Sequence, residues 1–122
     1  MAFSILGIDH VQLAAPKNSE GEARRFYGEV LGFKELTKPE NLQKNGGCWF
    51  SGGTMELHIG IEEPFTPAKK AHPAIRVGNL QEFRRHLENN GVKTRDEQPL
   101  PDALRFYIED PFGNRIEILE RL

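Results

Sequence analysis

The chain has one cysteine, Cys48, among 122 residues, so no internal disulfide can form and the fold rests on packing and hydrogen bonding. In an apolar segment beside Trp49 and Phe50, that thiol reads as a small hydrophobe rather than a nucleophile. No stretch approaches the roughly 18 apolar residues of a membrane-spanning helix. The opening Met1-Ala2-Phe3-Ser4-Ile5-Leu6 lacks the charged start and long apolar run of a secretion signal. An excess of either charge is also missing, since 16 Lys and Arg are interspersed with 18 Asp and Glu for a net charge of −2. Nucleic acid and membrane surfaces are therefore not expected partners, and a soluble cytoplasmic protein is the expectation.

What the chain does have is a repeat of two pairs. His10, in Ile8-Asp9-His10-Val11-Gln12-Leu13, precedes Glu56 by 46 positions, and His72 precedes Glu117 by 45. All four lie in segments that alternate apolar with polar residues, the period of a strand with one buried face. Modules of about sixty residues would be marginal alone, so the two should share one core. We expect a single domain over 1–122, built of repeats 5–61 and 71–120 with the Pro- and Lys-bearing linker 62–70 between them.

Taken in order, the first strand is expected from about Gly7 to Leu13, with Val11 and Leu13 facing the core and His10 and Gln12 facing away. Ala23, Phe26, Tyr27, Val30 and Leu31 fall at helical spacing before Gly32. Residues 33–36 read as a short strand and Pro39 to Gly46 as a polar loop. A hairpin follows, and a turn at Gly52-Gly53 would set Trp49 opposite Glu56 and Phe50 opposite Met55. Trp49, Glu56 and His58 then share one face. In the second module Ala71 to Val77 is a strand; Leu80, Phe83 and Leu87 outline a helix ending at Gly91; Val92 to Thr94 is a short strand. Leu104, Phe106 and Ile108 should face the core and Arg105, Tyr107 and Glu109 the other side. Asp110-Pro111-Phe112-Gly113-Asn114 is a turn, leading to a last strand with Glu117 on the polar face. The expected fold is α+β: two βαβββ modules forming a curled mixed sheet around a cleft.

The helices consume the apolar faces, leaving His10, Gln12, Trp49, Glu56, His58, His72, Arg76, Arg105, Tyr107 and Glu117 on the faces opposite, where they would line the cleft. Paired imidazoles and carboxylates are ligands for a divalent transition metal, and Zn, Ni, Co, Mn and Fe(II) all accept such a set. His10, His72 and Glu117 are the first candidates. The fourth is Glu56 or His58, which lie two residues apart on one face. Arg76 and Arg105 suit an anionic group or could neutralise Glu56 or Glu109 across strands. His86, flanked on a helix by Arg84, Arg85 and Glu88, reads as solvent-facing and is given no role.

The opening Ile8-Asp9-His10-Val11, the helix phrase Arg25-Phe26-Tyr27-Gly28-Glu29-Val30-Leu31-Gly32-Phe33 and the ending Asp110-Pro111-Phe112-Gly113-Asn114-Arg115-Ile116-Glu117 resemble the vicinal oxygen chelate superfamily across essentially the whole chain. That superfamily includes glyoxalase I, extradiol dioxygenases, fosfomycin-resistance thiol transferases and bleomycin-binding proteins. The resemblance implies that His10, Glu56, His72 and Glu117 hold one divalent metal per site in the glyoxalase manner, or His10, His72 and Glu117 in the transferase manner. Tyr107 falls where the transferases keep a tyrosine near substrate, whereas Arg105 stands where they keep a serine or similar small residue.

By resemblance and chemistry together, the expected activity is that of a metal-dependent lyase or isomerase of glyoxalase type. It would act on a small oxygen-chelating substrate, with Glu117 or Glu56 as base, Trp49 and His58 beside the substrate, and Arg76, Arg105 and Tyr107 available to its polar end. The alternative is a drug-binding or resistance protein of the bleomycin or fosfomycin type. Short members of the superfamily are usually homodimers, with the site built within a chain or shared between two.

Overall fold

The computed structural model describes residues 2–122. Strand β1 (His10–Ala15) leads to helix α1 (Glu20–Ala23), which runs on as a π-helical segment, Arg24–Val30, and then to β2 (Lys34–Leu36). A 3-10 turn over Glu40–Asn45 precedes the hairpin of β3 (Cys48–Gly52) and β4 (Met55–Ile61). The second half holds β5 (Ala74–Arg76), α2 (Leu80–Asn89), β6 (Arg95–Asp96), β7 (Ala103–Glu109) and β8 (Arg115–Arg121). Two four-stranded mixed sheets result, in the orders β1-β4-β3-β2 and β5-β8-β7-β6. The first and last strands of each module run parallel at one edge of its sheet, β1 with β4 and β5 with β8. No helix is long and apolar enough to cross a membrane among the described residues.

Period-2 alternation sends one face of each sheet inward. Phe50, Leu57 and Ile59 from the first, and Phe106, Ile108, Ile116 and Ile118 from the second, join Phe26, Tyr27, Leu80 and Leu87 from the helices in one buried cluster. Polar anchors tie the halves together across this core. The Tyr27 hydroxyl donates to Asp110 Oδ2 at 2.7 Å, and Asn114 Nδ2 donates to the Ala14 carbonyl at 2.8 Å. Asp110 also accepts from the amides of Phe112 and Asn114 and from Asn114 Nδ2, so the Asp-Pro-Phe-Gly-Asn turn is built around a buried and fully partnered carboxylate. α2 is held to β8 by Glu120, whose carboxylate accepts from the amides of Asn79 and Leu80 at the helix start.

Several sequence expectations shift. β1 starts three residues later than Gly7, and residues 2–9 carry no regular structure. The hairpin turns at Gly53-Thr54, with Gly53 at φ 56°, rather than at Gly52-Gly53. Trp49 therefore stands opposite His58, Phe50 opposite Leu57 and Ser51 opposite Glu56. Because the slip moves each partner by two positions, Trp49, Glu56 and His58 still share a face. Glu40–Asn45 forms a 3-10 turn where a loop was expected, and the short strand after α2 is Arg95–Asp96 rather than Val92 to Thr94. Leu104 is exposed instead of facing the core, lying opposite Glu120 near the open end of its hairpin. His86 is exposed as expected, yet its Nε2 donates to the Val30 carbonyl at 2.7 Å and so joins the two helices.

Candidate functional site

On the first sheet, parallel pairing of β1 with β4 puts His10 beside Glu56 and Gln12 beside His58. The antiparallel neighbour β3 brings Trp49 beside His58 from the other side. The three rings stack: Trp49 and His58 lie 4.0 Å apart and 6° from parallel, His58 and His10 4.1 Å apart and 15° from parallel. His58 is buried between its neighbours, and its Nε2 lies 3.0 Å from Glu56 Oε1. His10 is exposed and its Nδ1 meets Asp9 Oδ1 at 2.8 Å. Stacking thus holds His58 as a fixed polar tip that orients one oxygen of Glu56.

On the second sheet, the antiparallel β7-β8 ladder puts Tyr107 opposite Glu117. His72 lies just before β5, since the Glu117 amide pairs with the Pro73 carbonyl ahead of the strand proper. His72 Nε2 meets Glu117 Oε1 at 3.0 Å, and its Nδ1 donates to the Lys70 carbonyl at 2.8 Å. The other oxygen of Glu117 accepts from Arg105 Nη1 at 3.4 Å. Arg105 also donates from Nη1 to the Tyr107 hydroxyl and from Nε and Nη2 to the Gln98 carbonyl. The sequence offered Arg105 as a neutraliser of Glu56 or Glu109; it is committed to Glu117, Tyr107 and Gln98 instead. Arg76 forms no ion pair among the described residues, so it does not neutralise those carboxylates either.

Each half therefore presents an imidazole Nε2 facing a carboxylate at 3.0 Å. In the first half that imidazole is His58; His10, the partner its spacing suggested, stacks on it. A cleft of ≈ 860 Å³ runs past β1 and the segment before β5, lined by His10, Glu56, His72 and Arg115 among others. Among the described residues, no group of three or more His, Cys, Asp or Glu side chains is close enough to hold one metal ion. The donor chemistry suits a divalent transition metal, but the direct contacts within one chain join the donors only two at a time.

Sequence reasoning missed Arg95 and Arg115. Both guanidinium carbons lie 5.4 Å from the centroid of the Tyr107 ring, and that of Arg105 lies 5.6 Å from it. Arg115 sits two residues before Glu117 on one strand, so its face was legible from alternation; the place of Arg95 beside Tyr107 depends on the pairing of β6 with β7.

The chain matches the family model of the Glyoxalase/Bleomycin resistance protein/Dioxygenase superfamily over residues 7–118. It is 53% identical to a protein from Bacillus anthracis provisionally described as of the glyoxalase family, over 100% of both chains, with a TM-score of 0.96. The same fold, at 20% identity over 95% of this chain and 94% of the other, is found in lactoylglutathione lyase from Agrobacterium tumefaciens, with a TM-score of 0.73. TnmS3, an antibiotic binding protein from Streptomyces sp. CB03234, is 22% identical over 97% of this chain and 100% of its own, also with a TM-score of 0.73. No curated protein matches the chain significantly.

Proposed function

Since the chain belongs to the Glyoxalase/Bleomycin resistance protein/Dioxygenase superfamily, we propose that it is a divalent-metal-dependent lyase or isomerase of glyoxalase type. Its substrate would be a small molecule with two adjacent oxygens. The observation that carries this reading is the pair of imidazole–carboxylate contacts, His58 with Glu56 and His72 with Glu117, each at 3.0 Å on a polar sheet face. His10, His72 and Glu117 would hold the ion, with Glu56 as fourth ligand. When bound, the ion supplies Lewis acidity that polarises a substrate carbonyl and acidifies the adjacent C–H.

The chain's own groups divide the remaining work. Glu117 is buried and bridged by His72 and Arg105, so its carboxylate is fixed in place. Glu56 is half-exposed and held by His58 alone, which leaves one oxygen free to take a proton from carbon and return it to the neighbouring carbon. Glu56 is thus the base of this reading. Trp49, stacked on His58, gives the organic part of the substrate a flat wall, and Tyr107 reaches its polar end.

Because no three of these donors meet within one chain among the described residues, the reading takes each site as completed in a homodimer, where His10 and Glu56 of one copy meet His72 and Glu117 of the other. A free buried thiol at Cys48 suits the cytoplasm. The second reading, a small-molecule binder of the bleomycin or fosfomycin type, draws on the roomy cleft and on the absence of a three-donor cluster among the described residues.

Elemental analysis of the protein purified without chelator separates the two. The first reading gives about one divalent metal per site, lost in His72→Ala. A protein that stays empty after incubation with Ni, Zn, Mn and Fe(II) overturns it in favour of the binder.

A further inference from the structure

Resting on the reading of the second sheet's polar face as half of a substrate site, we propose that Arg95 and Arg115, with the Tyr107 hydroxyl, form an oxyanion subsite that takes a carboxylate or phosphate group of the ligand. Three arginines crowd one ring there. The guanidinium carbons of Arg95 and Arg115 each lie 5.4 Å from the Tyr107 centroid, so they are no farther from one another than twice that distance. Cations this close repel one another, because the separation is comparable to the screening length of physiological salt.

Compensation within the chain is incomplete. Arg105 is satisfied by Glu117, Tyr107 and the Gln98 carbonyl. Arg95 and Arg115 have neither an ion pair nor a side-chain hydrogen bond among the described residues. Glu109 stands opposite Arg115 in the ladder and yet makes no ion pair with it. The first sheet has no counterpart to this cluster: Lys34, opposite Ser51, is the one cation on its polar face among the described residues.

Tyr107 adds a directional donor. It is buried, and its oxygen accepts from Arg105 Nη1 at 3.2 Å, while its own O–H has no acceptor among the described residues. A buried hydroxyl with an unspent proton, on a ring whose centroid lies 5.4 Å from each of two unpaired guanidinium carbons, matches an oxyanion that accepts several hydrogen bonds. Arginine forks suit both planar carboxylates and tetrahedral phosphates, so the subsite selects for anionic oxygen rather than for one acid. Arg115 lines the cleft of His10, Glu56 and His72, while Arg95 and Tyr107 line a second hollow; the Tyr107 ring lies 5.1 Å from that of His72, which puts the subsite beside the proposed chemistry.

The test uses the full-length protein stripped of metal, titrated calorimetrically with inorganic phosphate and with malonate at constant ionic strength. Phenylglyoxal labelling, read by mass spectrometry, reports protection of each arginine. Binding of either anion should protect Arg95 and Arg115; Arg95→Gln or Arg115→Gln should weaken it about tenfold, and the double variant should abolish it. Arg121→Gln, at the far end of β8 where the side chain pairs with Asp102, should leave affinity unchanged. Whichever anion binds more tightly names the group. Equal protection by chloride, no binding of either anion, unchanged affinity in the double variant, or an equal loss in Arg121→Gln each overturns the proposal. Metal content of the native protein is measured separately, so a failure of the metal reading leaves this result standing or falling by itself.

Discussion

His72 and Glu117 stand 45 residues apart in the chain, and their side chains meet at 3.0 Å across the junction of β5 with β8. Arg105 closes on the other carboxylate oxygen, so Glu117 is gripped from both sides. Glu56, its counterpart on the first sheet, touches His58 and is otherwise open to the cleft.

This asymmetry predicts different losses for the same substitution. Glu56→Gln should keep most of the metal and lose proton transfer by a factor of about 100 or more. Glu117→Gln should lose the metal itself. Deuterium exchange at carbon beside a carbonyl, followed by NMR over a panel of vicinal hydroxy-ketones and hemithioacetals, reads the first, and elemental analysis reads the second. Full exchange activity in Glu56→Gln would remove that residue from the role of base.

The buried pair Tyr27–Asp110 should carry stability rather than chemistry. Tyr27→Phe removes one buried hydrogen bond and should cost about 1–2 kcal/mol, a drop of several degrees in Tm. Asp110→Ala strands the Tyr27 hydroxyl, two backbone amides and one proton of Asn114 Nδ2 together, and should cost about 3 kcal/mol or more. Burial and the Asp110 charge both push the Tyr27 hydroxyl well above the usual tyrosine range. Spectroscopic titration should accordingly show one tyrosine that ionises only when the protein unfolds.

Gly47 should resist substitution. It has φ 85°, and a Cβ there would come within 2.1 Å of the Ile59 carbonyl oxygen on the neighbouring strand. Gly47→Ala must therefore break the β3-β4 edge as well as strain the backbone, and should destabilise by more than about 2 kcal/mol in urea unfolding. Gly53→Ala, at φ 56° with open space around it, should cost less.

Cys48 should be silent toward thiol reagents in the native state. It is 1% exposed, and burial is the main cause pushing its thiol above the usual range. Since the folded protein then holds its proton more tightly than the unfolded chain, stability is intact below the ordinary thiol pKa. It declines as pH rises through the folded value. Rapid labelling of the native protein near pH 8 would contradict this placement.

The sequence showed the strands that alternate cleanly and the residues on them. His10, Glu56 and Glu117 could be placed on polar faces because β1, β4 and β8 alternate, and Tyr27 and Leu87 because their helical spacing is regular. What escaped depended on pairing between distant segments. Whether Trp49 faces Glu56 or His58 is a matter of hairpin register, and two adjacent glycines gave two equivalent turns. His72 falls outside β5, although its flanking residues alternate as a strand should. Arg95 reaches Tyr107 through a two-residue strand that has no periodicity to read. The contacts of Glu56 and Glu117, on which their different roles rest, are side-chain geometry that spacing alone does not encode.

The claim that two chains complete each site is tested most directly by mixing variants. His10→Ala and His72→Ala each damage every site alone, so each should purify without metal. Unfolded together in equal amounts and refolded with a divalent metal, half the dimers would be mixed, and each of these would hold one intact site. The account predicts recovery of about one quarter of the native metal content, by random pairing in a two-fold dimer. A mixture that stays empty while the refolded native protein fills would contradict it and place His10 and His72 in the same site of a single chain.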